Sequence, residues 1–476
     1  MINMTLKSIT LFFCLFGILI RLYGLEFQSL WYDELFSILN SSLPSIESVL
    51  SNYLSETNPP FYAIILHYWI KLLGNSVFFA RLLSALFGIL TIGILFYYYN
   101  KPKFFQARVY FFVLLIFSTC LGGIYFSQEA RSYSLLFLLS LILLLQSIHL
   151  LLMISNKNTI NLFYLIYLSA TSLLISYTHY FGFIFAGIIW ANLLILSLFK
   201  LNKKDFLIFS IFSFFILIGY SYEILKLTKL QSDSVNWIPK PNLMIYLEFL
   251  NYIIFILKGK YTYYFFVAIL ILVIIAYFKN KIHKFTKDEK IINIFLMSIV
   301  IVLLCSTFLI SQYKPIVTGR NLLILIFPIL FILSLNLSKI NFPSSLTFDI
   351  VFILFICYTF FSYYNSYTLP HKSDIRQLAI DSTILENKDL PVFVADHPEY
   401  YNYYFDNYFK RNIHSSLIPE KFDSKPEKFI ILEAELLGSL DESFWRDLEK
   451  EFFIERKQYF KARFSKLSKK NSITIK

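Results

Sequence analysis

The sequence predicts an all-α polytopic membrane protein that carries a small α/β domain at its carboxyl end. Three observations lead there. The 476 residues are 57% hydrophobic and only 16% charged, against roughly 25% charge in soluble domains. Charge-free windows such as VYFFVLLIFSTCLGGIYF (109–126) and SYSLLFLLSLILLLQSIHLLLM (132–153) approach or exceed the ~20 apolar residues that cross a bilayer as helix. Beyond about residue 366 charged residues become dense, and short apolar runs alternate with polar stretches of helical pattern.

The first apolar run, residues 9–20, lacks a small-x-small cleavage site and is followed by Arg21, so it reads as a retained first helix. The formal charge of +12 invites a nucleic-acid reading, but its distribution argues against one. Lys101, Lys103 and Arg108, then Lys200, Lys203 and Lys204, then Lys279, Lys281, Lys284, Lys287 and Lys290 fall in short loops on alternate sides of successive spans. That is the positive-inside pattern, which sets topology rather than a partner. Placing these loops in the cytoplasm gives eleven spans, near 6–24, 76–99, 108–126, 132–154, 160–178, 181–199, 206–222, 261–279, 290–310, 321–337 and 346–363. The amino terminus is then inside and the carboxyl tail extracytoplasmic. The 223–260 loop falls outside although it holds five lysines; long loops report topology poorly, and this one has room for an amphipathic surface helix.

Residues 25–75 read as loop and juxtamembrane helices on the outer face of a transmembrane domain spanning 1–366. The stretch 25–58 holds Glu26, Asp33, Glu34, Glu47 and Glu56 and no Lys or Arg, and FYAIILHYWIKLLG (61–74) is too short for a confident crossing. In the tail, 367–476, PVFVAD (391–396) and KFIILEAE (428–435) read as buried strands, and 374–386 and 441–452 as helices; strands alternating with helices indicate a small α/β domain. The four cysteines, Cys14, Cys120, Cys305 and Cys357, fall within predicted spans without ligand-type spacing and read as packing residues.

Ionisable residues are nearly absent from the spans. A secondary transporter would place charge near the bilayer midplane, on interrupted helices and in paired repeats. Here the polar clusters gather at the outer ends of spans: Asp33-Glu34, ETNPPFYAIILHYW (56–69), SQEARSYS (127–134), YKPIVTGRNL (313–322) and SYTHYFG (176–182). That points to chemistry at an interface on an amphiphilic substrate. Each cluster also has a plainer reading: solvated loop carboxylates for Asp33 and Glu34, arginines snorkelling to lipid headgroups, and hydrogen-bonded structural histidines for His67 and His179. Pro59 and Pro60 shape a turn.

Taken together, WYDE (31–34), the stretch NPPFYAIILHYWIKLLGNSVFFARLLSALFGILTI (58–92), SQEARSYSLL, YTHYFG and TGRNLLILIFPIL resemble the GT-C superfamily of membrane glycosyltransferases. The likeness is to the branch of protein mannosyltransferase-like enzymes and lipid A aminoarabinose transferases, and it covers most of residues 20–335. The resemblance implies a GT-C fold and an inverting sugar transferase that uses a polyprenyl-phosphate-linked donor on the extracytoplasmic side of the plasma membrane. The acceptor would be an envelope glycan, lipid or protein, with membrane lipids as surroundings and no nucleic acid as partner. It implies Asp33 as general base with Glu34 beside it as a second catalytic candidate. Arg131 and Arg320, with Lys314 as a third cation, would bind the donor phosphate; Asn58, Pro59, Pro60, Glu129, His67 and His179 would shape the site. No cofactor is expected, and a divalent metal is left open, with no metal ligands assigned. Where aminoarabinose transferases carry Glu-Lys before the proline pair this chain has Thr57-Asn58, which argues against inheriting a metal site or a lysine phosphate contact from that branch. The competing readings are a transporter or flippase of lipid-linked glycans, and a non-catalytic envelope assembly protein.

Overall fold

A computed structural model of the chain describes residues 2–55, 59–157, 161–221, 238–254, 285–339, 345–362, 372–383, 389–409, 415–418, 426–434 and 440–470. The expected span at 261–279 and Asn58 lie outside the described residues. The chain forms two compact units: Met1–Tyr23, Pro44–Tyr68 and Arg81–Tyr364 make one, and Gly24–Leu43, Trp69–Ala80 and Asn365–Lys476 the other.

The first unit is helical and belongs to an integral membrane protein. Its long helices are α1 (Ile2–Leu22), α5 (Val77–Asn100), α8 (Tyr133–Ser155), α10 (Tyr180–Lys200), α13 (Lys287–Tyr313) and α15 (Ser345–Ser362). Shorter ones are α3 (Ile46–Ser55), α4 (Phe61–Leu73), α6 (Ala107–Thr119), α7 (Leu121–Tyr125), α9 (Leu162–Ser176), α11 (Lys203–Gly219), α12 (Leu243–Ile254) and α14 (Ile326–Ser338); the end of α4 and the start of α5 are counted with the other unit. Among the described residues five segments are long and apolar enough to cross a membrane: α5, α8, α10, α13, and Asn321–Ser338, which comprises α14 and the turn before it. Helix α6 is apolar on every side, with each residue from Val109 to Thr119 buried, as befits a helix enclosed by others; it packs against α1 and α14. Ion pairs tie helix ends together, Lys339 Nζ to Glu289 at 2.7 Å and Arg108 Nη2 to Asp349 at 2.6 Å.

Two expected spans prove to be composite. The third breaks at Cys120, whose extended backbone separates α6 from α7. The break is stabilised because its loose carbonyls and N–H groups find partners. The Arg21 guanidinium donates to the carbonyls of Phe117 (2.9 Å), Ser118 (3.4 Å) and Gly17 (2.9 Å), and Cys120 Sγ accepts from the Gly123 N–H. Cys120 is buried as expected of a packing residue but also caps the break, and Cys305 is exposed. The tenth expected span opens as a 3₁₀ turn, Asn321–Leu325, before becoming α14.

The second unit contains α2 (Tyr32–Ser41), α16 (Ile375–Thr383), α17 (Pro398–Tyr404), α18 (Glu442–Glu451) and strands β1 (Val392–Val394), β2 (Ser415–Leu417), β3 (Lys428–Ala434), β4 (Phe452–Tyr459) and β5 (Ala462–Lys469). The strand order is β2-β1-β3-β5-β4; β1 runs parallel to β2 and β3, while β3–β5 and β5–β4 are antiparallel. Phe429, Ile431, Trp445, Leu448, Phe452 and Leu467 form the core under α18. The two anticipated strands and two anticipated helices are present. Strand β2, helix α17 and the β4–β5 hairpin were not anticipated. In FFIERKQYFKARFSKLSK (452–469) charges interrupt the apolar residues, and most of β4 faces solvent, so the hairpin lacks the apolar run that marks a buried strand.

Candidate active site

In the first unit the candidate cations sit on turns that close apolar helices. Arg131 belongs to the turn between α7 and α8, which is bolted down from several directions. Arg21 Nε donates to Ser127 Oγ at 3.2 Å, and Gln128 Nε2 donates to the carbonyls of Ile20 and Tyr23 at 2.9 and 2.7 Å. On the far side Ser84 Oγ on α5 donates to the Arg131 carbonyl and lies 3.0 Å from Tyr62 Oη on α4. Glu129 is buried in the same turn. Arg320 sits in Thr318–Asn321, a turn knotted by Asn321, whose side chain donates to the Ile316 carbonyl at 2.8 Å.

His179 reports on both arginines. It precedes α10, and its Nδ1 accepts from the Phe181 N–H at 3.1 Å, which leaves Nε2 as the protonated nitrogen of a neutral ring. Burial, and then the fields of Arg131 and Arg320, lower its pKa to about 4. The imidazole is thus uncharged near pH 7. The turn that holds it is too tight for any side chain at Gly182: a Cβ there would lie 2.2 Å from the Ile175 carbonyl oxygen. The proline pair feeds the same place, because the Phe61 N–H that follows it donates to the Tyr177 carbonyl at 3.0 Å.

Helix α12 adds two residues that the sequence did not mark. The Tyr252 hydroxyl donates to Glu248 at 3.3 Å. Its pKa is raised by burial and by Glu248 and Glu129, against the opposing field of Arg320. A Cβ at Gly319 would meet the Glu248 carboxyl carbon at 2.8 Å, so the backbone beside Arg320 approaches α12 closely. The signal available in the sequence was a lone acid in a short apolar helix, LMIYLEFLNYII. His67 is buried on α4, and Lys314 closes α13 as a half-buried residue.

In the second unit, Asp33 and Glu34 occupy the first turn of α2. Being adjacent on a helix they face about 100° apart, and their environments separate accordingly. Glu34 is fully buried and accepts from Lys372 Nζ at 2.8 Å; the same ammonium lies 5.9 Å from the Trp31 ring centroid. Asp33 is half-buried, near Tyr400. The loop ahead of α2 is held by the tail. Tyr404 Oη accepts from the Leu30 N–H at 2.7 Å and bonds Ser29 Oγ at 3.0 Å, while Arg376 donates to the carbonyls of Glu26 and Phe27 at 2.8 and 3.1 Å. Among the described residues no group of three or more His, Cys, Asp or Glu side chains is placed to hold a metal ion.

No protein-family model matches the sequence, and no curated protein matches it. Solved structures do. The crystal structure of ArnT from Cupriavidus metallidurans bound to undecaprenyl phosphate superposes with a TM-score of 0.55 at 10% identity, covering 97% of this chain and 98% of that one. The apo structure of the same protein gives 0.56 at 10% identity, covering 96% and 98%. The chain has the fold of ArnT. That is the GT-C fold expected from the motifs, here with its small sheet domain. The coverage extends the likeness past residue 335, where the sequence resemblance stops, through the tail of this chain.

Proposed function

We propose that the protein transfers a sugar from a polyprenyl-phosphate-linked donor to a cell-envelope acceptor, at the extracytoplasmic face of the membrane. The observation that carries the proposal is the fold shared with a protein crystallised with undecaprenyl phosphate, in a chain where Arg131 and Arg320 both lie in turns whose fields reach the buried His179. Two guanidinium groups suit a phosphate: each offers a planar fork of donors matched to its oxygens. The sugar–phosphate bond breaks with negative charge growing on the departing phosphate, and fixed cations stabilise that charge most in the transition state. A neutral imidazole adds a hydrogen-bond donor at Nε2 without a third positive charge.

On the acceptor side Asp33 takes the hydroxyl proton as the oxygen attacks the anomeric carbon, and a single displacement inverts that carbon. Asp33 is the base in preference to Glu34, because Glu34 is committed to Lys372. Lys314 is a supporting cation, and Pro59, Pro60, Glu129 and His67 shape the surroundings. The test is Asp33→Asn in membranes. Sugar transfer to the envelope acceptor, read by mass spectrometry of envelope glycans, should fall by about 10²–10⁴-fold at normal protein level. Near-normal transfer would sink the assignment, and loss of lipid translocation with transfer chemistry intact would favour a flippase.

A further inference from the structure

The tail places an ordered histidine beside Asp33. His397 follows strand β1 and precedes α17, with a left-handed backbone at φ 52° and ψ 56°. Such a conformation is uncommon for a residue with a Cβ, though His adopts it more readily than most; strained positions of this kind cluster at functional sites. The ring is held on three sides. Nδ1 lies 2.9 Å from Glu399 Oε1. One face stacks on the buried Tyr400 ring, centroids 4.8 Å apart and planes 8° from parallel. Tyr32, the residue before Asp33, meets the ring edge-on at 5.2 Å, with its hydroxyl 3.5 Å from Nε2. The side chain nevertheless stays 30% exposed. Tyr32 also packs edge-on against Tyr400 at 5.3 Å, and burial, then Tyr32 and Glu399, and least Asp33, raise the Tyr400 pKa.

We propose that Tyr32 and His397, seated on Tyr400, form an acceptor subsite beside Asp33 that takes a neutral, hydroxyl-bearing sugar. The inference rests on Asp33 acting at the acceptor. Aromatic faces with polar edges suit a sugar ring, which presents C–H groups on its faces and hydroxyls at its rim. Among the described residues the charges nearby oppose an anionic acceptor. Asp396 and Glu399, both against the His397 ring, line the subsite and are more than half exposed, and the Asp33 charge reaches Tyr400. Among the described residues, the cations that contact this loop are engaged, Lys372 with Glu34 and Arg376 with backbone carbonyls. A phosphate placed there would meet like charge. The tail thereby contributes to recognition of the acceptor as well as holding the Asp33 loop.

The experiment is saturation-transfer NMR on the full chain in lipid nanodiscs, with methyl β-glucopyranoside and methyl α-mannopyranoside as neutral probes and glucose 1-phosphate as the anionic one. The neutral probes should receive saturation and the phosphate little. Tyr32→Leu should cut the neutral signal about fivefold, the loss of roughly 1 kcal/mol of aromatic contact. His397→Asn, which keeps a residue tolerant of the left-handed backbone, should lower it in the same direction, while Glu399→Gln tests the ring's orientation without disturbing the fold. An absent neutral signal, an equal signal from glucose 1-phosphate, or unchanged signals in both Tyr32→Leu and His397→Asn overturns the subsite. Asp33→Asn separates the two readings: lost transfer with the probe signal intact supports both. Normal transfer in that variant removes the base and leaves the subsite to stand on the probe data alone.

Discussion

The residues proposed for the donor and those proposed for the acceptor are fixed in position by different means. Arg131 and His179 sit in tight turns between consecutive helices, and much of what holds them is near in sequence or belongs to neighbouring spans. The Gly182 N–H donates to the His179 carbonyl three residues earlier, and the Arg131 N–H to the Glu129 carbonyl. Asp33 sits on a short helix whose supports come from the far end of the chain: Lys372 is 338 residues from Glu34, and Tyr404 is 375 from Ser29. A turn between packed helices is rigid as soon as its helices are. A loop held by distant partners has a fixed shape only once the tail has folded, so the proposed base depends on a domain that carries none of the proposed donor cations.

That comparison can be broken by substitution. The largest effect is expected for Lys372→Met, which leaves Glu34 buried without its cation; loss of one member of a buried pair costs about 3–5 kcal/mol. Limited proteolysis should show the second unit opening while α8 and α10 stay protected, and Glu34→Gln in the same protein should restore most of the protection. If Lys372→Met exposes both units equally, the dependence is not confined to the tail. Gly182→Ala is the counterpart in the first unit. Its Cβ would collide with the Ile175 carbonyl, and an overpacked site typically costs about 1–3 kcal/mol. Thermal unfolding should fall accordingly, with the Asp33 loop keeping its protease resistance below the transition.

Smaller changes sharpen the picture. Arg131→Lys keeps the charge and loses the fork, so under the proposed donor role binding of undecaprenyl phosphate, used as a probe, should weaken by about tenfold, or ~1.4 kcal/mol, with stability unchanged. A last effect concerns pH. The His179 pKa lies near 4 in the folded protein, below its ordinary value of about 6.5, so the unfolded chain takes up the proton first. The neutral ring's share of stability is present in full above about pH 6.5 and is lost as pH falls toward 4. In thermal melts, His179→Gln should show less destabilisation than the parent on acidification across that window, and an identical pH dependence would remove His179 from the account.

Much of the fold was legible in the chain. Long charge-free windows marked the five segments long and apolar enough to cross a membrane among the described residues, and the apolar runs after residue 366 marked two of the strands. The misses share a cause. The break at Cys120 depends on Arg21, 96 and 97 residues from the carbonyls it satisfies. Helix α12 beside Arg320, and His397 beside Asp33, are placed by packing that no local pattern records. Hydropathy marks which segments leave water, and it is blind to which ends meet.

The two adjacent acids show the division most clearly. The sequence by itself determined that Asp33 and Glu34 stand together after the first span, in a stretch with no Lys or Arg. It could not say which is buried, because consecutive helical residues face different ways and the orientation of a short helix is set by what packs against it. The tertiary structure decided it by bringing Lys372 to Glu34. A carboxylate is stable in the interior only with a counter-charge there, and that counter-charge came from the other end of the chain.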